Sequence, residues 1–135
     1  FVTMVYMTLD TSRGELRFVN AGHLPPYLCQ GRGASLQQLR GGEGIPLGIQ
    51  DPAEFNEGRI KLEHGDTLTL FSDGVMDAKN TAGEAFRLNG IEKVLRSSRG
   101  SASGLVDRIV GAVLGHCEAE KQFDDITVLV LKWLG

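Results

Sequence analysis

Hydrophobic periodicity changes character twice along this chain of 135 residues. Up to Phe71 the apolar residues recur at period two, in short runs separated by Gly, Pro, Asn and Asp, which is strand-and-turn patterning. Beyond Gly74 the period lengthens to that of a helix. The last residues, Ile126 to Leu134, return to a continuous apolar run. Strands, then helices, then a strand predict an α+β fold in which helices pack on a mostly antiparallel sheet. The length suits one domain.

Within this order, Phe1–Leu9 is apolar and Thr-bearing on both faces and is expected to be a buried strand. Asp10–Gly14 is a turn, and Glu15–Asn20 is a half-buried partner strand, so the two form a hairpin. Leu24–Gln30 is a third strand entered through Pro25 and Pro26, which have no N–H for a ladder. Ser35–Leu39, Arg59–His64 and Thr67–Phe71 are further strands, and Gly41–Gln50 is a glycine-rich loop. Val75–Ala78 is one helical turn and Asn89–Ser97 a short helix. Ser101–His116 is a long amphipathic helix, with Leu105, Ile109 and Val113 on its stripe and Ser101 or Ser103 as cap. Gly111 and Gly115 within it are expected to permit close packing on the sheet. Ile126–Leu134 is expected to be a central strand and Trp133 a core residue.

Composition excludes several functions. The chain carries 14 Lys and Arg against 17 Asp and Glu, a net charge of -3, without a basic stripe to attract nucleic acid or an anionic membrane. No apolar run approaches the roughly 18 residues of a membrane span. Cys29 and Cys117 form neither a CxxC pair nor a zinc spacing. They are expected to be buried thiols in a cytoplasmic protein, with a structural disulfide as the alternative. Phe1 opens directly inside an apolar stretch, as in a piece excised from a longer protein.

Two acidic turns could carry chemistry. Ser72-Asp73-Gly74 follows a strand and Asp124-Asp125 precedes one. Each alone has ordinary turn composition. Together they place carboxylates at the mouths of two apolar strands, and these converge if the strands are sheet neighbours. Convergent carboxylates repel unless a cation joins them, and hard oxygen ligands suit Mg²⁺ or Mn²⁺. Asn20-Ala21-Gly22-His23 is a turn whose histidine has no Ser or Cys placed to form a triad. Gly41-Gly42-Glu43-Gly44 lacks the Lys-Ser/Thr ending of a phosphate loop. Ile45-Pro46-Leu47-Gly48 is a structural corner.

These pieces, in this order, resemble the metal-dependent PPM (type 2C-like) Ser/Thr protein phosphatases, in their bacterial SpoIIE-like branch. The matching residues are the Phe1–Asp10 strand, Asn20-Ala21-Gly22-His23, Ile45-Pro46-Leu47-Gly48-Ile49, Gly65-Asp66 with Ser72-Asp73-Gly74-Val75, and Asp124-Asp125-Ile126-Thr127-Val128-Leu129-Val130. The resemblance spans essentially the whole chain. It implies a β-sandwich between helix layers, with two Mn²⁺ or Mg²⁺ ions at one end activating a water that attacks a phosphoserine or phosphothreonine in line. It assigns Asp73, Asp124 and Asp125 to the metals, places Asn20, Gly22 and His23 near the site, and lets Gly74 bring the backbone close. It also implies a phosphorylated protein substrate such as an anti-sigma-factor antagonist, and an upstream sensory or receiver domain.

The family's Gly-Asp-x-x-Gly-x-Gly segment is not among these 135 residues. The chain is therefore expected to be a single, N-terminally truncated phosphatase domain, to bind metal weakly and to be inactive alone. An uncovered sheet edge at Phe1–Leu9 is expected to favour a homodimer. A phosphatase-like module that binds a partner without chemistry is the alternative function.

Overall fold

The computed structural model describes residues 1–31, 35–97, 99–118 and 124–135. Among the described residues, eight strands and three helices follow in the order β1 (Met4–Asp10), β2 (Glu15–Ala21), β3 (Tyr27–Gln30), β4 (Ser35–Gln38), β5 (Glu43–Gly44), β6 (Gly58–Lys61), β7 (Thr67–Phe71), α1 (Asp73–Asp77), α2 (Arg87–Arg96), α3 (Ala102–Cys117) and β8 (Val128–Lys132). They form two four-stranded sheets. In the first, β2 pairs with β1 on one side and with β5 and β6 on the other; the second has the order β4-β3-β7-β8. Pairing is antiparallel throughout except for the short β2–β5 ladder.

Period-two alternation divides the core in two. Leu16 and Phe18 of β2 meet Leu28 of β3 and Leu68 of β7 between the sheets, with Met7, Leu9, Ile60 and Leu131 around them. On the far side of the second sheet, Tyr27 and Phe71 pack against Val75, Ile91, Leu95, Leu105, Ile109 and Val113 of the helices. The molecule is thus a three-layer stack of sheet, sheet and helices. The resemblance implied helices outside both sheets; among the described residues all three cover the second sheet, and Met4 and Tyr6 of β1 face outward and are exposed.

This layering corrects several expectations. Only one face of β1 is covered, so Val5, Met7 and Leu9 are half-buried while the intervening residues are exposed. Among the described residues β8 has one neighbour, β7, and is an edge strand. Val128 and Val130 pack toward the helices and Leu131 toward the other sheet, while Leu129 is exposed; layering, rather than a neighbour on each side, makes the strand apolar on both faces. Trp133 is half-buried at the rim of the sandwich, its indole against Gly14. Gly111 and Gly115 lie on the exposed side of α3, and a Cβ at either would meet nothing within 4 Å. They permit no close approach. The Gly41–Gln50 loop contributes β5, which lies along Asn20 and Ala21.

The expected cap of α3 is present: the Ser101 Oγ accepts a hydrogen bond from the Gly104 N–H at 3.1 Å. Cys29 and Cys117 are buried thiols that form no disulfide. No helix among the described residues is long and apolar enough to cross a membrane.

Candidate metal centre

The β7–β8 ladder runs from Thr67 opposite Lys132 to Phe71 opposite Val128. It thereby carries the residues that follow β7 and those that precede β8 to the same end of the sandwich. Beyond the last ladder pair the contact continues through a serine. The Ser72 N–H donates to the Thr127 carbonyl at 3.0 Å, the Ser72 Oγ donates to the Asp125 carbonyl at 2.9 Å, and the Thr127 N–H donates to the Ser72 Oγ at 3.0 Å. Ser72 occupies the cap position of α1, yet its hydroxyl bonds the Asp125–Thr127 strand instead of capping the helix.

Gly74 completes this junction. A Cβ there would stand 2.4 Å from the Asp125 carbonyl oxygen and 3.4 Å from the Asp124 carbonyl carbon. Glycine is therefore required by the closeness of two backbones. Asp73, Asp124 and Asp125 are all exposed around this contact. Asp73 Oδ1 accepts from the Gly74 N–H at 3.0 Å, and Asp124 Oδ1 accepts from the Asp125 N–H at 2.8 Å. Asp73 spends one oxygen on its own turn and has a second to offer a cation.

The turn after β2 comes to the same end by topology, because it leads into β3, whose Tyr27 lies opposite Thr69 of β7. The Asn20 side chain is buried and closes that turn. Its Oδ1 accepts from the His23 N–H at 2.8 Å and its Nδ2 donates to the His23 carbonyl at 2.9 Å. Gly22 has φ +70, and its missing side chain leaves room for Pro46, whose Cγ would lie 2.4 Å from a Cβ. The Ile45–Gly48 corner is thus seated on this turn, and Leu47 also exchanges two backbone hydrogen bonds with Val2. Asn20 and Gly22 build the turn. His23 differs: its Nδ1 lies 3.0 Å from the Leu24 carbonyl, which can only accept, so Nδ1 is the donor in that contact.

The carboxylates fit a hard divalent cation in kind. They do not complete its shell in number, since no group of three or more His, Cys, Asp or Glu able to hold a metal ion occurs among the described residues. Sequence reasoning quoted Ser72 only as part of a turn and missed its role. The signal was its position, a hydroxyl immediately before Asp-Gly at the end of an apolar strand.

Comparison with known proteins places this architecture. Residues 1–134 match the family described as Stage II sporulation protein E (SpoIIE). The phosphoserine phosphatase RsbU of Bacillus subtilis is 26% identical over 132 residues, which is 98% of this chain and 39% of RsbU. The SiaA-PP2C domain of Pseudomonas aeruginosa superposes with a TM-score of 0.83 at 23% identity, over 96% of this chain and 51% of that one. The phosphatase domain of the cell fate determinant SpoIIE from Bacillus subtilis, presoaked with Mn, gives 0.73 at 16% identity, over 98% and 56%. The fold is that of a PPM-type phosphatase domain, and the chain belongs to the SpoIIE family. It spans about half the length of those two solved chains and less of RsbU.

Proposed function

We propose that this chain forms the sheet-and-helix part of a metal-dependent protein phosphatase that hydrolyses phosphoserine or phosphothreonine on a bacterial signalling protein. The observation that carries the reading is the junction of Ser72–Gly74 with Asp124–Asp125, which brings two acidic turns to one end of the sandwich. Membership of the SpoIIE family supports it, as does the designation of RsbU as a phosphoserine phosphatase.

In this reading Asp73 and Asp124, with Asp125 beside them, hold Mn²⁺ or Mg²⁺ through carboxylate oxygens. A bound divalent ion supplies Lewis-acid chemistry, activating water and offsetting charge on phosphoryl oxygens, so no protein nucleophile is needed. Ser72 and Gly74 act by position: they hold the two acidic turns in register. His23 lies on the turn that comes to the same end. Because the described carboxylates are too few to fill an octahedral shell, the remaining ligands come from elsewhere in the parent protein, and the 135 residues alone bind metal weakly and turn over little substrate. The substrate is a phosphorylated protein, for which an anti-sigma-factor antagonist is the leading candidate, and an upstream sensory or receiver domain sets the activity.

The test is Mn²⁺-dependent release of phosphate from a phosphoserine protein by the parent protein and by this chain alone. Activity in the parent that disappears in Asp73→Asn and Asp124→Asn supports the reading. A parent protein that binds phosphoprotein but never hydrolyses it, with or without Mn²⁺, replaces it by a partner-binding module.

A further inference from the structure

A concave site lies at the end of the β7–β8 ladder opposite the acidic turns, where Thr67 and Lys132 pair, roughly 14 Å along β7 from Phe71 at the strand's rise per residue. It is a cavity of about 570 Å³, walled by Arg99, Arg108, Lys132 and Ser101 on its polar side and by Leu105 and Leu134 on its apolar side. Among the described residues no Asp or Glu lines it. In a chain of net charge -3, three permanent positive charges share one hollow.

Two of these cations are held by backbone carbonyls, and no ion pair among the described residues neutralises any of the three. The Arg108 guanidinium donates to the Arg99 carbonyl at 2.9 Å, and the Lys132 ammonium donates to the Gly100 carbonyl. The ion pairs among the described residues, Arg13–Asp10, Arg17–Glu15 and Arg59–Glu57, all lie elsewhere. Backbone carbonyls orient a cation but leave its charge uncompensated. Gathering like charges in a concavity costs free energy that an anion recovers, and a concave wall focuses the field on it. The first turn of the sixteen-residue α3 opens on the same wall at Ser101 and adds partial positive charge there. The volume lies within the ~300–1,000 Å³ of small-molecule sites.

We infer that this cavity binds a small organic phosphate, its phosphoryl oxygens on Arg99, Arg108 and Lys132 and its organic part against Leu105 and Leu134. The site is separate from the acidic end, and the inference does not rest on phosphatase activity. Arginine and lysine together suit phosphate, the one by paired donors in a fork and the other as a point charge.

Isothermal titration of the chain with ADP, pyrophosphate and inorganic phosphate, in chelating buffer without divalent ions, measures it. Saturable binding is expected for ADP, weakened about tenfold by Arg108→Gln and by Lys132→Gln, because each removes one charge-assisted contact. ADP binding more tightly than pyrophosphate supports an organic phosphate; pyrophosphate or phosphate binding with ADP excluded overturns that part and leaves a free-phosphate site. Arg99→Gln keeps the test independent of folding, since the hydrogen bond Arg99 contributes here comes from its backbone carbonyl. The inference is overturned if no phosphate compound binds saturably. It is equally overturned if binding is unchanged in an Arg99→Gln, Arg108→Gln variant that melts like the parent chain, or if polyglutamate binds and the phosphates do not.

Discussion

The Asp125 carbonyl oxygen occupies the space where Gly74 would carry a side chain, at 2.4 Å from the position of an added Cβ. Backbone meets backbone here, so no rotamer change relieves a clash. Gly74→Ala is expected to push the Asp124–Asp125 turn away from Asp73 and to cost roughly 1–3 kcal/mol of stability. Chemical denaturation measures the cost, and a variant as stable as the parent chain would show that the two turns are not in contact.

Ser72 joins the same two segments by its hydroxyl, which donates to Asp125 and accepts from Thr127. Ser72→Ala removes both bonds and is expected to lower stability by about 1–3 kcal/mol. Ser72→Thr keeps the hydroxyl and should lose less. Hydrogen exchange at the Thr127 amide reads the effect locally: faster exchange in Ser72→Ala is expected, and unchanged exchange counts against the tie.

Metal affinity follows from the carboxylates. Manganese titration of the parent protein, followed by electron paramagnetic resonance of the free ion, is expected to show weaker binding in Asp73→Asn, where the amide keeps the shape and loses the charge. In the 135-residue chain the wild-type affinity should already be low. Tight binding to the chain alone would mean that the described ligands suffice.

Two glycines give the opposite sign. Gly111 and Gly115 sit on the exposed side of α3 with open space where a Cβ would go. Gly111→Ala and Gly115→Ala are expected to stabilise the fold by up to about 1 kcal/mol each, the ordinary helix-propensity gain. Thermal melting checks this, and a loss of stability would mean that these positions are packed.

Alkaline pH probes Tyr27. Its hydroxyl donates to Glu92 Oε1 at 2.8 Å, and burial first, then this bond, raises its pKa above the ordinary 10.0. The folded state therefore holds the proton more tightly than the unfolded state. The stabilisation is fully present below pH 10.0 and is lost as pH rises from there through the higher folded value. Melting temperature across that range is expected to fall, with a shallower fall in Tyr27→Phe; parallel curves would remove Tyr27 as the cause.

Much of this molecule was legible as pattern. The change from period two to period 3.6 after Gly74 marked the passage from strands to helices because each period puts one apolar face toward a core. The cap of α3, at Ser101 or Ser103, was readable because it arises from a local backbone need, whereas the close backbone approach at Gly74 was implied by the family resemblance and arises from Asp125, far along the chain. Legibility stopped where two causes leave one trace. A strand apolar on both faces looks the same at the centre of a sheet and at the edge of a covered sheet, so β8 was misplaced. A glycine in a helix looks the same whether it faces a neighbour or solvent, so Gly111 and Gly115 were misread.

By itself, then, the amino-acid order determined the element types and the two acidic turns, since these depend on residues close in the chain. Only the tertiary structure decided that Ser72 would bond Asp125 and Thr127, and that Arg99, Arg108 and Lys132 would share one hollow. Those relationships come from the antiparallel register of β7 with β8 and the crossing of α3 over the sheet. Register and crossing are set by how whole faces pack, and no short run of residues carries that information.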